Sequence, residues 1–128
     1  MLESPAQKCP CGSPEYATCC APYHQGLPAP DALSLMRSRY SAYVLGLSDY
    51  LLATWHPDTR PDDQDSGGDT GKWLGLEIKN YTPQSDDRAT VEFVARYNIA
   101  GRAHRLHECS HFERVEGRWL YLDGDFLK

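Results

Sequence analysis

The chain has 128 residues, 41% of them hydrophobic and 24% charged, with a formal net charge of −5; that is enough for one folded domain with a short appendage and too little for two full domains. The acidic balance argues against a general nucleic-acid binder, which needs a clustered surplus of Lys and Arg, and no run approaches the ~18 apolar residues of a membrane span. Met1-Leu2-Glu3-Ser4-Pro5 has neither the basic lead nor the apolar stretch of a secretory signal, so the expected compartment is the cytoplasm, where thiols stay reduced and a dense cysteine cluster reads as metal-binding.

The first such cluster opens the chain. Cys9-Pro10-Cys11 and Cys19-Cys20 are two close pairs, with Gly12-Ser13-Pro14 between them to reverse the backbone. Zinc takes four thiolate or imidazole ligands in a tetrahedron with Zn–S near ~2.3 Å, and a short segment can wrap it when the ligands come in two such pairs. Cys9, Cys11, Cys19 and Cys20 are therefore the expected metal ligands, zinc the expected ion, and Gly12 the residue expected to take positive φ. His24 is a possible substitute for Cys19 or Cys20. A disulfide between adjacent cysteines would be strained, and four unliganded thiols have nothing apolar nearby to bury them.

From Ala21 to Pro30 three prolines and one glycine mark a connector, which divides the chain into a knuckle over residues 1–26 and a main domain over 27–128. Asp31 then caps a helix whose apolar residues Leu33, Met36, Tyr40, Tyr43, Val44 and Leu47 recur at three- and four-residue steps, ending near Gly46. Ser48 is placed to cap a second, shorter helix that must stop before Pro57. Residues 58–72 are Asp- and Gly-rich and read as a loop. Within them 63–69 resembles the start of a calcium loop, but the twelfth position is Leu74, where a bidentate Glu is required. Strands are expected over 73–80, 89–99, 103–115 and 119–123, with turns at Asp86-Asp87, Ala100-Gly101 and Glu116-Gly117. Helices followed by an antiparallel meander is an α+β arrangement.

The string Cys-Pro-Cys-Gly-Ser, then Tyr16 and Cys19-Cys20, resembles the SEC-C motif, a zinc knuckle found at the carboxyl end of the SecA translocation ATPase and on several bacterial proteins. The likeness extends along the chain through Met36-Arg37-Ser38-Arg39-Tyr40, Thr54-Trp55-His56-Pro57, Trp73-Leu74-Gly75-Leu76, Val91-Glu92-Phe93-Val94-Ala95, His107-Glu108-Cys109-Ser110 and Trp119-Leu120-Tyr121-Leu122-Asp123-Gly124. With these it is similar to the YchJ family of bacterial proteins of unassigned function. That resemblance implies a nuclear transport factor 2-like fold, a helical hairpin packed in a curved antiparallel sheet to form a cone with a pocket. The knuckle's turn, Pro14-Glu15-Tyr16-Ala17-Thr18, lacks the lysines usual in the motif, which suits a protein partner better than an anionic surface.

Strand alternation places Val91, Phe93, Ala95 and Tyr97 on one face, and Leu106, Glu108, Ser110 and Phe112 on the matching face of the next strand. Glu108 thus sits among apolar neighbours and needs a cation or a proton. Arg37 and Arg39 are candidate partners, Arg37 lying nearer the stripe of Leu33, Tyr40 and Val44. As a locked Arg–Glu pair, Glu108 is structural; as a general base, it would work with Tyr40, Tyr43, Tyr97 or His107 as hydrogen-bond donors. Trp55, His56, Trp73, Phe93 and Ser110 complete the candidate pocket. His104, His107 and His111 cannot share one ion, because His107 and His111 lie ~13 Å apart on a strand and His104 points the other way. His56, at a helix end, is expected to offset the helix dipole, and Cys109, opposite in facing to Glu108, is expected to be a small core residue. Two functions follow: a non-enzymatic adaptor that docks a protein through the knuckle, which is favoured, and a small-molecule binding protein or lyase- or isomerase-type enzyme that uses the cone around Glu108.

Overall fold

The structure, a computed structural model, describes residues 8–12, 15–60 and 72–127. A single 3-10 turn, Tyr16–Thr18, and a one-turn helix α1 (Ala21–His24) precede the two helices of the hairpin, α2 (Ala32–Leu45) and α3 (Ser48–Ala53). Four strands follow, β1 (Lys72–Pro83), β2 (Arg88–Ile99), β3 (Arg102–Val115) and β4 (Arg118–Phe126), paired in chain order as an antiparallel meander. Most of the 58–72 loop, with the calcium-like stretch, lies outside the described residues.

Local chemistry sets the helix ends. The Asp31 side chain accepts from the Ser34 N–H at 2.7 Å, and Gly46, at φ 75°, closes α2 in the left-handed conformation that glycine takes without strain. Ser48 does not cap α3. Leu47 occupies the cap position with no side-chain hydrogen bond, and the helix is secured at its far end instead. There Tyr121 N–H donates to Thr54 O at 2.8 Å and His56 N–H to Tyr121 O at 2.7 Å, tying the chain after α3 to β4.

The β2–β3 and β3–β4 turns are two-residue hairpins with both residues at positive φ: Ala100 and Gly101 at 53° and 82°, Glu116 and Gly117 at 51° and 80°. This left-handed pair matches the twist of the flanking strands, which fixes the register. Phe93 stands opposite Glu108, Val91 opposite Ser110, and Ala95 opposite Leu106, so the face read from alternation is the inner face of the sheet. Register shifts at Trp73/Gly75, Ile78/Asn80 and His111/Phe112 bend the sheet around α2.

The apolar stripe expected on α2 is only partly the buried face. Leu35, Met36 and Tyr40 are buried with Ser38, Arg39, Ser41 and Ala42, whereas Tyr43, Val44 and Leu45 are exposed. The helix has neighbours on several sides: the inner face of the sheet, α3 and the cysteine knuckle. Cys9, Cys11 and Cys20 belong to the same buried cluster as Leu35, Met36, Tyr40, Val91, Phe93, Phe112 and Trp119. Ser38 and Ser41 are buried because the knuckle and α3 use their hydroxyls, a demand that a hydrophobic stripe does not reveal.

Candidate functional site

Among the described residues, the side chains placed to hold a metal are Cys9, Cys11, Cys19 and Cys20, whose sulfurs all lie within 4.8 Å of one another. Cys11 and Cys19 Sγ are 3.5 Å apart, while Cys19–Cys20 and Cys11–Cys20 are each 3.8 Å. A tetrahedron of sulfurs at ~2.3 Å from a central zinc has edges of ~3.8 Å, so the four donors have the chemistry and the spacing that zinc takes. Gly12 makes the reversal possible at φ 112°, its N–H donating to Cys9 O at 3.0 Å. A hydrogen bond with the Cys11 thiol, followed by burial, pushes the Cys20 thiol far above its usual range. A cation among the sulfurs reverses that tendency, because a coordinating thiol is deprotonated outright.

The knuckle is joined to α2 by polar contacts as well as packing. The Ser41 hydroxyl, fully buried, donates to Cys20 Sγ at 3.3 Å and lies 3.4 Å from Cys9 Sγ. His24 is not a fourth ligand. Its Nε2 donates to Ser38 O at 2.8 Å, and in that neutral tautomer Nδ1 accepts from the Tyr16 hydroxyl at 2.6 Å. Its ring also meets Tyr50 edge-on at 4.7 Å. A His24→Ala variant should therefore keep full metal stoichiometry while losing about 1–3 kcal/mol of stability, read by metal analysis and a thermal melt on one sample. Loss of the metal would return His24 to the ligand set.

The second feature is a cavity of about 230 Å3 between α2 and the inner face of the sheet, lined by Arg39, Tyr40 and Tyr43 of α2 and by Trp73, Phe93, Leu106, Glu108 and Tyr121 of the sheet. Glu108 is 8% exposed. Its Oε2 accepts from Ser110 Oγ at 2.7 Å and from the Tyr121 hydroxyl at 3.3 Å. Burial, then the Glu108 charge, pushes the Tyr121 phenol well above its ordinary range, which keeps it a donor. Gly124 completes the seat: a Cβ there would overlap Glu108 Oε2. No arginine pairs with Glu108, so the expected Arg–Glu lock is absent among the described residues.

Arg39, rather than Arg37, faces the cavity. Residues 36, 39, 40 and 43 share one face of α2, and a two-residue step along a helix turns Arg37 far from it. Arg39 is 3% exposed. Its Nη1 donates to Leu51 O at 2.8 Å and Thr54 Oγ1 at 2.7 Å, and its guanidinium lies 5.3 Å from the Trp55 ring centroid and 4.7 Å from that of Tyr121.

The other candidates divide. Arg39, Tyr40, Tyr43, Trp73, Phe93, Glu108 and Ser110 come together on the cavity. Trp55 stands behind Arg39, packed edge-on against Tyr121 at 5.2 Å. Tyr97 sits beyond Trp73, stacked on His104 at 5.2 Å. His107 points to the opposite face, where its Nε2 meets Glu92 Oε2 at 2.7 Å, so it cannot serve Glu108; strand alternation alone required this. His56 is engaged by Glu113, Nε2 to Oε1 at 2.9 Å, and accepts the Asp58 N–H at Nδ1, which makes it a surface-closing contact rather than a dipole cap. Cys109, half-buried, lies opposite Glu92 in the register, on the outer face. His111 meets Asp125 at 3.0 Å. Tyr121 was missed. The signal was present, since it lies two residues from Trp119 on one strand face.

The family model described as the YchJ middle NTF2-like domain matches residues 31–124. The chain belongs to the YchJ family. A UPF0225 protein of Bordetella parapertussis is 60% identical over 126 residues, spanning 95% of this chain and 94% of its own length. Another from Ralstonia nicotianae is 52% identical over 134 residues, at 95% and 93%. The solution structure of a SEC-C motif containing protein from Rhodopseudomonas palustris superposes with a TM-score of 0.85 at 33% identity, over 95% of this chain and all (100%) of that one. The crystal structure of a SEC-C motif containing protein from Psychrobacter arcticus gives 0.76 at 31% identity, over 95% and 84%. No helix among the described residues is long and apolar enough to cross a membrane.

Proposed function

We propose that this YchJ-family chain is a small-molecule-binding protein whose amino-terminal knuckle is a structural zinc staple. The sulfur spacing supports zinc, and the structural role follows from the closed set of four thiols packed against α2, with no position left for substrate. The observation that carries the binding role is Glu108: a buried carboxylate held by two hydroxyls, with no cation paired to it among the described residues, opening on a cavity that Arg39 also reaches. A buried charge left without an opposite one is costly to the fold, which favours a partner from outside the chain. Docking a protein through the knuckle is the weaker reading, because Cys9, Cys11 and Cys20 face the core, and the exposed residues among those described there, Lys8, Gly12, Ala17, Thr18, Gln25 and Gly26, include no large apolar side chain.

Filling the cavity tests the reading. A fragment library screened by NMR should yield molecules that move the Trp73 indole signal in the wild type and not in Ala95→Leu, whose added carbons occupy the space beside Leu106. Fragments that bind both proteins alike, or none that reach Trp73, would remove the cavity from the function.

A further inference from the structure

Two opposite charges share the cavity and do not touch. Arg39 is buried on α2 with no carboxylate paired to it among the described residues; its Nη1 is committed to Leu51 O and Thr54 Oγ1, and its side chain also meets Tyr43 and lines the cavity. Glu108 uses Oε2 for Ser110 and Tyr121, while Oε1 accepts no hydrogen bond from the described residues and is not among the polar atoms sealed from solvent. An uncompensated buried charge costs several kcal/mol, and a direct Arg–Glu bridge would relieve both. Tyr121 prevents it. Its hydroxyl donates to Glu108 while its ring face lies under the Arg39 guanidinium, so one side chain holds the two charges apart and partly satisfies each.

The walls between the charges are Tyr40, Tyr43, Trp73, Phe93 and Leu106. A ligand with one charge would satisfy one end and leave the other buried and unmet; a neutral apolar ligand would leave both. We infer that the cavity receives a small zwitterion with an apolar body, its carboxylate on Arg39 and its ammonium on Glu108 Oε1, an aromatic amino acid being the simplest example. This rests on the cavity being a binding site. It adds the class of ligand.

Three probes with one ring system separate the charges: phenylalanine carries both, 3-phenylpropionate only the carboxylate, and phenethylamine only the ammonium. In NMR titrations that follow the Trp73 indole and the Ser110 amide, phenylalanine is expected to bind about tenfold or more tightly than either relative, the worth of one charge-assisted hydrogen bond. Glu108→Gln, which keeps the shape and removes the charge, should erase the advantage over 3-phenylpropionate. Arg39→Lys, which keeps the charge and loses the planar fork, should weaken phenylalanine and 3-phenylpropionate together and leave phenethylamine unchanged. Equal binding by a single-charge probe, or an unchanged ranking in Glu108→Gln, overturns the inference. Should Glu108→Gln fail to fold, the wild-type ranking decides alone. Neutral fragments at Trp73 with none of the three probes bound would refute the zwitterion and leave the cavity reading intact, whereas silence from every compound would refute both.

Discussion

Removing the metal with a chelator is expected to lower the thermal midpoint of the reduced protein by roughly 15 °C. A ligand that binds only the native state contributes about 4 kcal/mol when present at a thousand times its Kd, and for a domain of this size each kcal/mol moves the midpoint by roughly 3–5 °C. The loss should not stay in the knuckle. Cys9, Cys11 and Cys20 share a buried cluster with Leu35, Met36 and Tyr40, and Ser41 of α2 bonds directly to Cys20, so freeing the sulfurs loosens the helix that forms one wall of the cavity. Trp73, edge-on to Tyr40 at 5.6 Å, should report it as a fluorescence change. Cys20→Ser, nearly the same in size but without a thiolate, should reproduce the chelated state and bring metal content well below one per chain. Acid acts in the same direction: protons compete with the metal for the thiolates, so the metal's contribution is present at neutral pH and is lost as pH falls. Reduced protein that is metal-free as purified, or a midpoint that chelation moves by less than about 2 °C, would remove the staple from the account.

The elements of this fold were legible because their signals are local. Asp31 and Gly46 bracket α2, and X-Gly pairs at 100–101 and 116–117 punctuate the meander, so bounds and register could be read without knowing any distant contact. The cysteine cluster was legible for the same reason: all four sulfurs that gather lie within a dozen residues. The cavity was legible only by halves. Alternation put Glu108, Ser110 and Phe93 on one face, but which arginine faced them depended on the rotation of α2. That rotation is set by the knuckle on one side and the sheet on the other. The stripe suggested Arg37; burial of Ser41 beneath the cysteines and of Ser38 beneath Tyr50 of α3 turned Arg39 inward instead. Gly124 was harder still, since its importance lies in the room it leaves for Glu108 across a strand pair.

Gly124→Ala should show how tightly Glu108 is seated. Gly124 has no left-handed φ to require glycine; the requirement is space, because a Cβ there would fall on the Glu108 carboxylate, with Cδ also closer than real contacts allow and Cγ at their tight limit. Ser110 is the Cα partner of Gly124, so the carboxylate is fixed between the hydroxyl on its own strand and the bare backbone of β4. Neither can give way cheaply. Moving the carboxylate forfeits the hydrogen bonds from Ser110 and Tyr121, and bonds to an ionised group are worth about 1.5–3 kcal/mol each, so the variant is expected to lose about 3 kcal/mol, roughly 10 °C in midpoint. It should also lose whatever binds beside Oε1. The discriminating measurement is the double mutant. If the carboxylate is what the new methyl meets, Glu108→Ala removes the conflict, and Glu108→Ala/Gly124→Ala should be more stable than the sum of the single losses by about 1–2 kcal/mol. Simple additivity in denaturant unfolding would mean that Gly124 is needed for the strand itself and not for the acid it faces.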